Sequence, residues 1–406
     1  MNLINYLRNM EDDFLANIEP HIEVYDVEKV SQVAYGQAGK IALIGAFPTA
    51  TFKLDVFTDL DDAKDSLKGA YRLPNDNSVE NSAKDPVPAT YTAFYCLDYI
   101  FNSTRQSAGA ESVLIVNTNY GAGSLVQAST NQMIADACTL LKEEDFDILT
   151  IAEGVGLTAV VSSETVLNPI WATLKAFVDE QYQAQKPFGI VTGVDMTSAT
   201  STIVGNFKTL FADKGIYKAV STKVQINGDA EPLNIAQSGC WHSAFTSGRP
   251  VNRSETAKQY EGIIGQNTKD VYPLSATVTY KNLLDTGFHT TRYRNRRTQA
   301  IECLSNVTPV GWDMKIERVK NYIVKRLTLA DILGEDNNRI TRDYLVGVFE
   351  REKQLAINNN YLVDMDYAIS NIDTTTVKAD VVLYIADIVR VVKLNVQVEI
   401  SAYEGE

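Results

Sequence analysis

From residue 40 onward the chain alternates short apolar runs with stretches whose apolar residues recur every three to four positions, and this alternation restricts the fold more than any other feature. Lys40 to Phe47 reads as a core-type strand, the runs at Val113 to Val116, Ile148 to Ile151 and Phe188 to Val194 are bounded by Gly, Asn or Asp, as buried strands are, and Lys218 to Ile226 reads as another strand. Between them Met133, Ile134, Ala137, Leu140 and Leu141 form one helical face, and Trp171, Leu174, Phe177, Val178 and Tyr182 form another. Strands alternating with helices predict βαβ units on a largely parallel sheet, a layered α/β domain over residues 40–270.

The pattern changes beyond that. Leu274 to Tyr280 and Ile301 to Leu304 have strand character, and two helical stripes follow, one through Ile316, Val319, Ile323 and Leu327, the other through Leu345, Val348, Phe349 and Ala356. A smaller α+β domain is expected over 271–388, so the fold class is α/β plus α+β. Residues 1–39 are expected to be an N-terminal arm: a short amphipathic helix (Leu3, Leu7, Met10, Phe14), Pro20, then an extended stretch holding Ile22 and Val24. Residues 389–406 are expected to be a C-terminal arm. There Val392, Leu394, Val396, Val398 and Ile400 alternate with polar residues, which describes a strand about 30 Å long at ~3.3 Å per residue. Such a strand joins its own sheet or adds to a neighbour's.

Composition excludes some function classes. No apolar run approaches the roughly 20 residues that span a bilayer. The N-terminal residues lack the pattern of a signal peptide, so the protein is expected to stay where it is made. A net charge of -14 argues against non-specific nucleic-acid binding, which needs a basic surface. Cys96, Cys138, Cys240 and Cys303 have neither metal-site nor redox spacing and are expected to be buried thiols.

Catalytic and cofactor motifs fail on inspection. Gly36-Gln37-Ala38-Gly39-Lys40 has two residues between its glycines instead of four, and Ile41 instead of Ser or Thr after the lysine, so it is not a P-loop. Gly121-Ala122-Gly123 follows a strand, but Val126 stands where the third glycine of a dinucleotide turn belongs. His21, His242 and His289 lie far apart, and Ser162 and Ser163 are in no nucleophile elbow. No catalytic, cofactor-binding or metal-ligating residue is therefore assigned, and no enzyme activity is expected. One charge feature stands out. Arg292, Arg294, Arg296, Arg297, Lys315, Arg318, Lys320, Lys325 and Arg326 face only Glu302, Asp313 and Glu317 within residues 291–326, which suggests either a solvated face or a docking face.

The order of these features resembles one family. The stretch EVYDVEKVSQVAYGQAGKIALIGAFPTA (residues 23–50) looks like the opening of contractile tail sheath proteins, and AQSGCWHSAFTSGRPVNRSETAKQYEGIIGQ (236–266) resembles the segment closing their middle domain. VKNYIVKRLTLADILGEDNNRITRDYLVGVFEREKQLAINNNYLVDMDY (319–367) is similar to the helical core of their C-terminal domain, and the run ending KADVVLYIADIVRVVKLNVQVEI resembles its last strands. The segment after Gly287, HTTRYRNRRTQAIECLSNVT, departs from the family pattern.

The resemblance implies a structural subunit of a phage tail, an R-type bacteriocin or a related injection device. It would polymerise as a six-fold helical homopolymer around an inner tail tube, with baseplate and tail terminator proteins as further partners. Its place would be a virion tail or phage-like particle assembled in the host cytoplasm. The two arms, through Ile22, Val24, Val392, Leu394, Val396, Val398 and Ile400, would add strands to neighbours, and the basic segment would face an acidic tube. Neither nucleic-acid binding nor membrane insertion is implied. The alternatives are an α/β nucleotide-binding enzyme and another phage baseplate structural protein.

Overall fold

The computed structural model describes residues 39–386, apart from 50–51, 75, 77, 79–80, 82–83, 102–109, 119–130, 227–232, 257–259, 261–262, 267–282, 284–285, 296–299, 328–338 and 372–376. The expected strand at Leu274 to Tyr280, both arms, Gly36 to Ala38 and the Gly121 to Gly123 turn lie outside these residues.

Five parallel strands form the centre: β1 (Lys40–Gly45), β3 (Ser112–Asn117), β4 (Ile148–Ile151), β8 (Gly189–Asp195) and β9 (Ile216–Val220). They stand side by side in the order β3, β1, β4, β8, β9, the arrangement of a doubly wound sheet whose direction of growth reverses between β1 and β4. An antiparallel strand, β2 (Lys53–Phe57), borders β3, and the two-residue β5 (Val155–Gly156) pairs with the end of β8. The central strands are buried almost throughout, the burial pattern of a parallel sheet covered on both faces.

Each face has its own helices. Ala42, Ile44, Leu149, Ile151 and Ile190 pack against α3 (Asn131–Leu141), α4 (Ile170–Gln183) and α5 (Ser201–Leu210). Ile41, Leu43, Ile115, Ile148 and Val191, offset by one position, pack against α1 (Leu60–Leu67), α2 (Thr92–Phe101) and α6 (Ile235–Ser247). Helix α6 opens with a capping box, in which the Asn234 side chain accepts from Gln237 N at 2.8 Å and Gln237 Oε1 accepts from Asn234 N at 3.0 Å. It lies directly on β8 because glycine meets glycine there: a Cβ on Gly239 would sit 2.1 Å from Gly193 N.

The expected strand at Lys218 to Ile226 is broken in two. Its second part, β10 (Val224–Ile226), leaves the main sheet to pair with β11 (Ile263–Gln266). Two further ribbons are β6 (Thr158–Val161) with β7 (Glu164–Leu167) and β12 (Thr290–Asn295) with β13 (Ala300–Ser305). The C-terminal elements are α7 (Met314–Arg326), α8 (Arg339–Asn358) and the hairpin of β14 (Asp364–Asn371) and β15 (Val377–Tyr384). Val319, Ile323, Phe349, Ala356 and Met365 form their common core, which also takes in Val251.

Candidate functional site

In a doubly wound sheet a ligand sits beyond the carboxyl ends of the strands, at the point where the strand order reverses. Among the described residues, backbone groups at that place are already bonded within the chain. Glu153 Oε1 accepts from Ala46 N at 2.7 Å, Asn117 Oδ1 accepts from Phe47 N at 3.1 Å, and Asn117 Nδ2 donates to Thr49 O at 2.6 Å. A Cβ on Gly45 would meet Ala93 Cβ at 2.6 Å, so α2 presses on the strand end. The amide that would greet a phosphate is occupied by a carboxylate, which repels one. The geometry therefore works against the nucleotide-binding alternative.

The concentrated chemistry lies instead at the seam between the sheet and the later segments. Lys218 of β9 and Glu255 are both fully buried and paired at 2.6 Å. Thr246 Oγ1 donates to Glu255 Oε1 at 3.0 Å and accepts from Lys218 Nζ at 3.2 Å; Tyr260 OH donates to Glu255 Oε2 at 2.8 Å. Having given its one proton to Glu255, the Tyr260 hydroxyl accepts from His289 Nε2 at 3.1 Å, which leaves His289 Nδ1 facing Cys303 Sγ at 3.9 Å as an acceptor. Burial pushes the Glu255 carboxyl up, but the Lys218 ammonium, with His289 and Tyr260, outweighs it and holds the group at about 2. Burial and then Lys218 push His289 down to about 3. His242, whose ring centre is 4.5 Å from that of His289, is driven well below the usual imidazole range by burial, His289 and Lys218. Among the described residues neither of its ring nitrogens has a hydrogen-bond partner.

These shifts set an acid limit. Unfolded imidazoles bind a proton near pH 6.5 and folded His289 only near 3, so between those values the unfolded chain holds more protons and stability falls as pH falls. Glu255 adds the same sign from 4.5 down to about 2. The melting temperature is expected to be level above pH 6.5 and to drop steadily below it, at on the order of 1 kcal/mol per pH unit for each histidine. His242→Phe, which keeps a ring and removes two unpaired nitrogens, should flatten this slope without lowering the melting temperature at pH 7. Calorimetry across pH checks both.

The basic segment singled out in the sequence contributes to the same seam. The Arg318 guanidinium is buried and donates to Arg249 O at 2.9 Å and Pro250 O at 3.5 Å. Lys325 pairs with Asp145 at 2.6 Å and Asp147 at 3.1 Å, and Arg326 with Glu352 at 2.7 Å. Lys320 pairs with Glu317 at 2.6 Å, while Lys315 Nζ donates to Ala386 O. Each of the five cations of α7, Lys315, Arg318, Lys320, Lys325 and Arg326, thus has an acceptor within the chain. Arg292 and Arg294 lie on β12, and Arg296 and Arg297 lie outside the described residues, as do Ile22, Val24 and Val392 to Ile400.

Nothing in the sequence pattern points to Asp313, which caps α7 through Lys315 N at 2.9 Å while accepting from Ser254 and Thr256 hydroxyls at 2.8 Å each. These bonds tie Asp145, Asp147, Arg249, Pro250, Ser254 and Thr256 to α7 or its cap, and Tyr260 to His289 just before β12.

No family model matches the sequence, and no curated protein matches it in sequence. Solved structures do match. A sheath tail protein from Listeria innocua superposes at a TM-score of 0.54 and 11% identity, covering 85% of this chain and 91% of that one. A chain from the helical sheath of the anti-feeding prophage in its contracted state reaches 0.57 at 11% identity over 93% of this chain and 99% of that one. The fold is that of contractile tail sheath proteins. A chain from the contracted anti-feeding prophage baseplate also matches, at 0.55 and 14% identity over 93% of this chain and 97% of that one. The sheath fold accounts for the layered α/β body and the later helices as parts of one known arrangement.

Proposed function

We propose that this chain is a structural, non-enzymatic subunit of a contractile sheath. It polymerises with copies of itself as a six-fold helical tube around an inner tail tube, and contraction of that tube drives the inner one through a cell envelope. The observation that carries this reading is the sheath fold, shared along 85% to 93% of the chain with proteins of that kind. Its setting is a virion tail or phage-like particle assembled in the host cytoplasm, with tube, baseplate and terminator proteins as partners. The energy for contraction comes from a metastable extended state, with no cofactor, metal, nucleic acid or membrane insertion involved.

In this reading residues 1–39 and 389–406 are arms that add strands to neighbours, and 40–270 and 271–388 are the two domains they link. The hairpin β14–β15 supports it as an acceptor. Among the described residues neither of its outer edges is paired, one face packs on α8 through Met365 and Val381, and two strands alone are marginal in water. A tube-facing role falls to Arg292, Arg294, Arg296 and Arg297, the part of the basic segment that precedes α7.

Removing Val392 to Glu406 is expected to abolish long tubes in negative-stain images and leave monomers or isolated rings, with the melting temperature of the body unchanged. Tubes of normal length from the truncated chain would remove the C-terminal arm from the account. The likeness to a baseplate chain favours one second reading, a baseplate part, which would form rings but not long tubes at any concentration.

A further inference from the structure

Among the described residues, two strand edges of the α/β body have no partner strand, at separated places. The first is the ribbon β6–β7. Val161 pairs with Glu164 across a two-residue turn whose serines, Ser162 and Ser163, both have positive φ (49° and 70°), the tight turn that suits a twisted hairpin. Its base is fixed: Leu157 N donates to Asp195 O at 2.8 Å, Thr158 Oγ1 donates to Thr197 O at 2.9 Å, and Leu167 packs on the core. Its tip is apolar. Val160 is 75% exposed and Val161 46%, on opposite faces of the ribbon. Neither strand carries a lysine, proline or bulge, the devices that keep exposed edges from pairing with other chains.

The second edge is β2, the outermost strand of the main sheet, which pairs only with β3 among the described residues and exposes Val56 at 59%. The strands β3, β1 and β4 separate it from β8, whose end carries β5 and then the ribbon. Contact between two different patches of one chain is heterologous, and its repetition generates closed rings or helical filaments. Glu164 is the ribbon's one charged residue, and β2 carries Lys53 paired with Asp55, so Glu164 can take Lys53 in exchange for Asp55.

We propose that the ribbon Thr158–Leu167 of one copy adds to the edge strand Lys53–Phe57 of the next copy, burying Val160 or Val161 against Val56. This rests on the sheath reading and adds to it a side-by-side contact made by the α/β body, independent of the arms. Glu164 of one copy meets Lys53 of the other, drawing the lysine from its pairing with Asp55 at 2.7 Å.

The test uses the full chain under conditions where it forms tubes. Val56→Cys combined with Val160→Cys, treated with a short bis-maleimide, should give a ladder of covalent multimers that either single variant lacks; the native cysteines are all buried and stay silent. Val160→Lys with Val161→Lys should raise the protein concentration needed for assembly roughly tenfold or more, while the melting temperature of the unassembled chain stays the same. Tubes that form without a ladder, and with the lysine variant assembling at the ordinary concentration, overturn the ribbon contact and leave the sheath reading standing. If the unmodified chain never forms tubes or rings, both fall together.

Discussion

Glu255→Leu is expected to destabilise the folded chain by roughly 3–5 kcal/mol, because it strands the Lys218 ammonium in a fully buried site. The loss exceeds the worth of the pair itself. Thr246 and Tyr260 both direct their hydroxyl protons at the Glu255 carboxylate, and both lose that acceptor in the variant. Adding Lys218→Met should restore most of the stability, since two apolar side chains of similar volume replace the pair without an orphaned charge. Chemical denaturation of the two single variants and the double variant checks this. A double variant no more stable than either single one would mean that the network has a role beyond mutual neutralisation.

Gly239→Val is expected to cost at least about 3 kcal/mol and to reduce soluble yield sharply. The new Cβ would lie 2.1 Å from Gly193 N and 2.8 Å from Gly193 Cα, backbone atoms of a central strand that cannot step aside. Helix α6 must then lift off the sheet, exposing Cys240 and Ala244, which now lie buried against it. Gly205 provides the control. It sits inside α5 with nothing within 4 Å of where a Cβ would stand, so Gly205→Ala should stabilise by roughly 0.5–1 kcal/mol. Thermal melts of both variants measure the contrast.

The central sheet was legible because its strands are largely apolar, and such runs have few alternatives once helical faces intervene. Ile148–Ile151 is the clearest case. Strand β2 was not legible, since KLDVF is short, carries two charges and lies at an edge. Helix α6 escaped periodicity for a different reason: most of its residues are buried, so it has no polar face to set a period, and only the family resemblance drew attention to it. The seam was the least legible part. The cations of α7 look like a solvated or docking face in sequence, yet Lys325 meets Asp145 from 180 positions away, and no local pattern encodes such a pairing. Likewise Glu255 shows nothing in its surroundings of the buried lysine it neutralises.

The seam also bears on how such a subunit would transmit force. Hydrogen bonds and ion pairs join the α/β body to α7 at several points, so displacing one against the other would break the bonds of Arg318 to Arg249 and Pro250 and of Lys325 to Asp145 and Asp147. In the proposed sheath, movement is therefore expected between copies, at the arms and the ribbon, with each body kept whole.

The most direct test of the account is cryo-electron microscopy of the purified full-length chain over a range of salt and protein concentrations. Hollow tubes with six-fold helical symmetry, each subunit retaining the fold described above, are the predicted result. A chain that stays monomeric under every condition, or assembles only into single rings that never stack, would contradict the claim that it is a sheath subunit.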